Sequence, residues 1–104
     1  MTAVIEYPPL PAIPLEVVDF AVAEEVAWYL RPVLTMTRNI FPTASLTLRL
    51  GDDPEIADDR HIVIEVDATN LEVPQMVAGQ RQWSEGVFAV CPATQAHLFR
   101  LSVV

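Results

Sequence analysis

The sequence contains no lysine, a single cysteine and only three glycines. Without lysine the chain cannot form a Schiff base or hold a nucleotide in a Walker-type phosphate loop, and so few glycines exclude other Gly-rich phosphate loops. The single cysteine, Cys91, cannot make an internal disulfide, which favours a reducing compartment. These absences exclude several classes of enzyme.

Motifs of hydrolases and metalloenzymes are also absent, because there is no Gly-x-Ser-x-Gly, Cys-x-x-Cys or His-Glu-x-x-His. Cys91 and His97 are the one nucleophile pair that the chain could form, but a cysteine on an apolar helix stripe is usually a small core residue. Cys91, His97 and His61 do not make a metal site unless carboxylates from elsewhere in the chain are added. We therefore assign no catalytic residue, no metal and no cofactor, and favour a protein that is not an enzyme.

No apolar run approaches the roughly 18 residues of a membrane span, and the first residues lack the regions of a signal peptide. We expect a cytoplasmic protein with no membrane partner. The 104 residues, 52% of them hydrophobic, fit one domain. Residues 7–15 hold four of the nine prolines, so we expect a proline-rich arm at 1–15 and a single α+β domain at 16–104.

Negative charge is what the chain has in excess. Its 14 acidic residues face six basic ones, all arginine, which gives a formal net charge of −8. Such a charge repels phosphate backbones, so nucleic acid is an improbable partner unless the arginines converge on one patch. It favours a basic protein partner, although acidity also serves solubility alone.

Residues 44–67 predict a β-hairpin, because leucines alternate with polar residues in its first half and the same period-2 pattern returns from His61. The loop between the strands carries five carboxylates: Asp52, Asp53, Glu55, Asp58 and Asp59. Their spacing is not that of a calcium loop. We favour a solvated turn, or an acidic finger that docks onto a basic partner, over a cation site.

Residues 16–40 show helical periodicity, with Val22, Val26, Leu30, Val33, Thr37 and Ile40 on one face. Pro32 inside this run predicts either a kink or a second helix that holds Pro32 in its first turn. Trp28 lies on the opposite face and points away from the core. Because proline rings pack well on indole, we expect the proline-rich arm to cover Trp28. The alternative is that Trp28 lies in an interface with another chain.

A second helical stretch is expected from Pro74 to about Cys91. Its core stripe includes Trp83 with Gln80 in the middle, and Gly79 and Gly86 on one flank indicate close approach of another helix or of a neighbouring chain. The last strand, 96–104, should turn His97 toward the helices. A candidate small-molecule pocket therefore consists of Gln80, Trp83, Cys91 and His97.

The predicted architecture is α+β, with the order helix, hairpin, helix, strand (αββαβ) and two helices on one face of a three-stranded sheet. The last strand should run parallel to residues 61–67 and antiparallel to 44–50, beside either. The other sheet face should present Thr47, Arg49, Val63, Glu65, Leu98 and Arg100. Either water or a second chain covers that face.

This element order is similar to the minimal form of type II KH domains, but the Gly-x-x-Gly loop is missing and the pI near 4.4 argues against an RNA surface. A second resemblance is carried by Asp53-Pro54-Glu55-Ile56, Asp58-Asp59-Arg60 and Ile62-Val63-Ile64-Glu65-Val66, followed by Trp83. This string resembles small acidic bacterial proteins encoded beside HEPN-type toxin candidates. The resemblance covers residues 20–104 and implies a neutralising or chaperoning partner.

Together these observations favour a small, non-catalytic acidic partner of a basic protein, of antitoxin, immunity or adaptor type. The candidate contacts are Trp28, Arg49, Asp52, Asp53, Glu55, Asp58, Asp59 and Arg100. The alternative is a small-molecule-binding or enzymatic domain that works as a homodimer, with its pocket near Gln80, Cys91 and His97. A third alternative is RNA association through a KH-like surface.

Overall fold

The helices and strands follow the predicted order, with two additions. The structure, a computed structural model, describes residues 10–104. They form an α+β fold of four helices and an open three-stranded sheet. The elements are α1 (Leu15–Ala23), a 3₁₀ turn (Ala27–Tyr29), α2 (Leu30–Ile40), β1 (Leu46–Gly51), β2 (His61–Val66), α3 (Val73–Val90), α4 (Ala93–Ala96) and β3 (Phe99–Val103). Within residues 10–104 no helix is both long enough and apolar enough to cross a membrane.

The first helical stretch is two helices. Helix α2 begins at Leu30, so Pro32 lies in its first turn, where a missing N–H breaks no intrahelical hydrogen bond. Between α1 and α2 the chain turns at Glu25, which has a left-handed φ of 61°. The sequence predicts a single helical face that includes Val22 and continues past this turn. That prediction is wrong at Val22, which is 61% exposed, because the helical periodicity starts again after the turn.

The sheet has the order β1–β2–β3, with β2 antiparallel to β1 and parallel to β3. The last strand therefore lies beside β2, one of the two placements that the sequence leaves open. The register aligns Leu48, Ile64 and Leu101 in one row across the three strands. This row faces the core, where Leu48 and Ile64 join the cluster that includes Trp83 of α3.

Helices α2 and α3 pack closely through the two glycines of α3. A Cβ on Gly79 would overlap the ring of Phe41, the residue directly after α2, and a Cβ on Gly86 would lie 2.6 Å from Sδ of Met36. The close approach predicted for Gly79 and Gly86 is therefore confirmed, and it is made by a helix of the same chain.

A buried hydrogen-bond chain connects the same two helices. The hydroxyl of Thr37 donates to the carbonyl oxygen of Val33 at 2.7 Å and accepts from Nε1 of Trp83 at 2.9 Å. Thr37 is fully buried and Trp83 is 5% exposed. Both polar groups are thus paired inside the core, as the low dielectric there requires.

Candidate functional site

An acidic cleft lies between α1 and the loop that joins β1 to β2. It has a volume of about 1190 Å³ and is also bounded by the segment just before β3. Six carboxylates line it: Glu16 and Asp19 from α1, Glu24 directly after α1, and Asp52, Asp58 and Asp59 from the loop. Half-buried apolar residues line it as well: Phe20, Leu50 and Leu98. Arg60 and His97 are the basic residues of this lining.

Helix α1 presents its acidic face to the cleft because its two faces differ in composition. Val17 and Ala21 are fully buried in the core. Glu16, Asp19, Phe20, Ala23 and Glu24 follow one another at helical intervals and lie on the side that lines the cleft. These residues were not among the predicted contacts, although their spacing of three and four residues is the signal that indicates a common face.

The acidic loop places three of its five carboxylates in the lining of the cleft. Asp52, Asp58 and Asp59 line the cleft, whereas Asp53 and Glu55 do not belong to its lining. An oxygen of the Asp53 side chain accepts the backbone N–H of Glu55 at 2.9 Å, which closes a local turn. Asp53 therefore shapes the loop, while Asp52, Asp58 and Asp59 belong to the lining of the cleft.

Asp59 connects the loop to the sheet. Its carboxylate accepts hydrogen bonds from Arg100 at 2.6 and 3.4 Å. The hydrogen bond from the Arg100 guanidinium holds the pKa of the Asp59 carboxyl below its usual range, and the nearby His61 acts in the same direction. The backbone carbonyl of Asp59 lies 2.8 Å from Nδ1 of His61, so Nδ1 carries the hydrogen in this contact. These contacts hold one wall of the cleft.

The outer face of the sheet is less open than the sequence predicts. Arg49 pairs with Glu65 at 2.5 Å and Arg100 pairs with Asp59. Val63 stands between the two arginines in the strand register and is only 5% exposed. Arg49 and Arg100 are therefore exposed but already paired with carboxylates of their own chain.

Trp28 lies in the 3₁₀ turn between α1 and α2 and is 84% exposed, which confirms its predicted outward direction. Residues 10–14 of the proline-rich arm do not cover it. They belong to no helix or strand, and Ile13 packs against the core. The remainder of the predicted arm lies outside the described residues.

The four residues of the predicted small-molecule pocket do not come together in one cleft. Trp83 and Cys91 are buried in the core, and burial raises the pKa of the Cys91 thiol. The predicted core position of Gln80 is wrong, because Gly79 takes that position against Phe41 and Gln80 is exposed. The predicted direction of His97 is also wrong. Because α4 ends immediately before His97 and β3 begins at Phe99, His97 is exposed and lines the acidic cleft.

The site is thus an open, acidic cleft whose lining also includes half-buried apolar residues. Among residues 10–104, no group of three or more His, Cys, Asp or Glu side chains is arranged to hold a metal ion. Comparison with models of protein families, with curated proteins and with solved structures finds no match for this chain.

Proposed function

We propose that the protein is a non-catalytic binding partner of a basic protein, and that the acidic cleft holds a positively charged segment of that partner. The observation that carries the proposal is the imbalance of charge in the cleft. Six carboxylates line it against a single arginine, Arg60. Among the described residues, Asp59 is the one member of the six that takes part in an ion pair.

The lining suits a cationic peptide segment better than a free cation. Unpaired carboxylates attract arginine or lysine side chains and speed their association. The half-buried apolar residues of the lining, Phe20, Leu50 and Leu98, can cover the aliphatic stems of such side chains or an apolar residue between them. Antitoxin, immunity and adaptor proteins are the classes to which this kind of binding belongs.

The arrangement of arginines supports a protein partner over RNA. Nucleic-acid binding needs cations that are free to face phosphates. Arg49 and Arg100 are engaged by Glu65 and Asp59, so the outer sheet face offers no unpaired basic patch through these two residues. The buried Cys91, in turn, gives no support to an enzymatic pocket at Gln80, Cys91 and His97.

The test compares two matched variants in affinity capture from a lysate of the source organism. D19N/E24Q removes two cleft carboxylates, and E55Q/E85Q removes two exposed carboxylates outside the cleft. We expect a basic protein that co-purifies with the parent and with E55Q/E85Q. It should bind D19N/E24Q at least about tenfold more weakly, since unshielded charge pairs dominate such an interface.

Salt gives the second criterion. Raising the salt concentration from about 50 to 300 mM should release the partner, because the Debye length falls over this range. A partner that all three proteins retain equally, or one that resists salt, contradicts the proposed site. Capture of no protein at near-stoichiometric amount by the parent contradicts the proposed function.

A further inference from the structure

Trp28 is an exposed aromatic side chain that the lining of the acidic cleft does not include. It is 84% exposed in the 3₁₀ turn that follows α1, whereas the other tryptophan, Trp83, is 5% exposed in the core. Among the described residues, Trp28 is the most exposed of the large hydrophobic side chains. An indole face that remains in water adds nothing to the hydrophobic stabilisation of the fold. Trp28 is therefore a candidate for contact with another molecule.

The turn that carries Trp28 is fixed by backbone hydrogen bonds. The N–H of Val26 donates to the carbonyl oxygen of Ala21 at 2.8 Å, across the end of α1. The N–H of Tyr29 donates to the carbonyl oxygen of Val26 at 3.0 Å, and Val26 is fully buried. The backbone on both sides of Trp28 is thus already ordered, so a ligand that binds the indole does not have to order it.

The charges nearest to Trp28 in the sequence indicate what kind of ligand it attracts. Glu24 and Glu25 precede it at the end of α1, and Arg31 follows it in the first turn of α2. Arg31 does not cover the indole, since Trp28 is 84% exposed. Two carboxylates against one arginine, in a chain whose formal net charge is −8, attract cations and repel nucleotides and anionic lipids.

Trp28 is also close enough to the acidic cleft to contact the same ligand. Glu24 belongs to the lining of the cleft and lies four residues before Trp28, which limits the separation of the two backbone positions to about 14 Å. An extended segment covers about 3.3 Å per residue. A segment that leaves the cleft past Glu24 therefore reaches the indole within about four residues.

We propose that Trp28 binds an arginine of the cationic segment held by the cleft, so that the protein prefers arginine-bearing segments to lysine-bearing ones. This inference rests on the proposed function. Carboxylates attract both kinds of cation, whereas the planar guanidinium stacks on an indole face and is more weakly hydrated than an ammonium group. The cleft thus supplies the attraction and Trp28 supplies the selectivity.

Calorimetric titration with two short peptides, hexaarginine amide and hexalysine amide, tests this role at about 50 mM salt. The proteins are the parent, Trp28→Ala and Phe88→Ala. Phe88 is the matched control, because it is an aromatic residue of α3 that is 61% exposed and lies outside the cleft lining. Trp28→Ala should weaken hexaarginine about three- to fivefold and hexalysine less than about twofold. Phe88→Ala should change neither by more than about twofold.

Quenching of tryptophan fluorescence by acrylamide tests the contact directly. Because Trp83 is buried, quenching of the parent reports mainly Trp28, and hexaarginine should reduce it. If Trp28→Ala weakens both peptides equally or neither, or if hexaarginine leaves the quenching unchanged, the role of Trp28 is overturned while the cleft stays a cation site. If neither peptide binds the parent below about 1 mM, the proposed function fails as well.

Discussion

At the residue scale, the Thr37–Trp83 hydrogen bond is the polar contact that the core depends on. Thr37→Val keeps the shape of the side chain but leaves Nε1 of Trp83 without its acceptor in a buried site. We expect a loss of about 1–3 kcal/mol in the free energy of unfolding, the usual cost of an unpaired buried polar group. Urea denaturation measures it.

The matched control for Thr37→Val is Thr35→Val, because Thr35 is exposed on the same helix and should change stability by less than about 0.5 kcal/mol. Combining Thr37→Val with Trp83→Phe should cost less than the sum of the two single changes, since the double variant leaves no indole N–H unpaired. Strict additivity, or equal losses for Thr37→Val and Thr35→Val, contradicts the assigned bond.

Asp59 makes a residue-scale prediction about pH. Arg100 lowers the pKa of the folded-state carboxyl below its usual 3.8. A lowered folded-state pKa stabilises the protein above the unfolded-state value, and this stabilisation is lost as the pH falls through the folded-state value. Thermal denaturation between about pH 7 and pH 3 should therefore show that Asp59→Asn lowers the melting temperature near neutrality and that the difference shrinks in acid.

Glu55→Gln is the control for Asp59→Asn, because Glu55 is an exposed carboxylate of the same loop that lies outside the cleft and forms no ion pair among the described residues. The melting temperature of this control variant should differ from that of the parent by the same amount at every pH. A difference between parent and Asp59→Asn that is constant across the pH range would mean that the ion pair with Arg100 contributes nothing to stability.

At the element scale, the class of fold and the hairpin were predictable because periodicity reports local structure. Period-2 alternation marks β1 and β2. Of the two structures predicted at Pro32, a kink or a second helix with the proline in its first turn, the second is observed. The turn at Glu25 could not be predicted, because a glutamate at positive φ has no sequence signature. Because this turn was not predicted, the predicted buried face of the first helical stretch is wrong at Val22 of α1.

The errors on α3 and at His97 have a different origin. Between Met76 and Trp83, both Gly79 and Gln80 satisfy helical spacing, and the ring of Phe41 decides between them by packing on the glycine. His97 follows a four-residue helix, α4, that starts directly after Pro92 and delays the last strand to Phe99. On α3 the helical pattern is compatible with two core residues, and a tertiary contact selects one of them. At His97 a short helix changes the position at which the strand pattern begins.

At the scale of the whole molecule, the acidic loop was predictable as a charged segment, but the cleft was not. The cleft exists because α1 lies beside the end of β1 and the loop, a contact between distant parts of the chain that no local pattern records. The charges themselves were visible in the sequence. What the structure adds is that the carboxylates of α1 and of the loop face the same space, where they repel one another.

This repulsion leads to a prediction about stability and function together. Residues that serve binding are often unfavourable for folding. At about 20 mM salt, D19N/E24Q should therefore melt about 2–4 °C above the parent, because two mutually repelling carboxylates are gone. The same change weakens the proposed complex. E55Q/E85Q, with an equal change in charge outside the cleft, should raise the melting temperature less.

The dependence on salt separates this effect from a change in helix propensity. At about 300 mM salt the Debye length is short, so the melting temperature of the parent should rise toward that of D19N/E24Q. Melting curves at one fixed protein concentration measure both effects and keep any dimerisation constant. If D19N/E24Q gains no more than E55Q/E85Q at low salt, the cleft carboxylates are not under mutual repulsion, and the charge imbalance that supports a cationic partner is weaker than the structure implies.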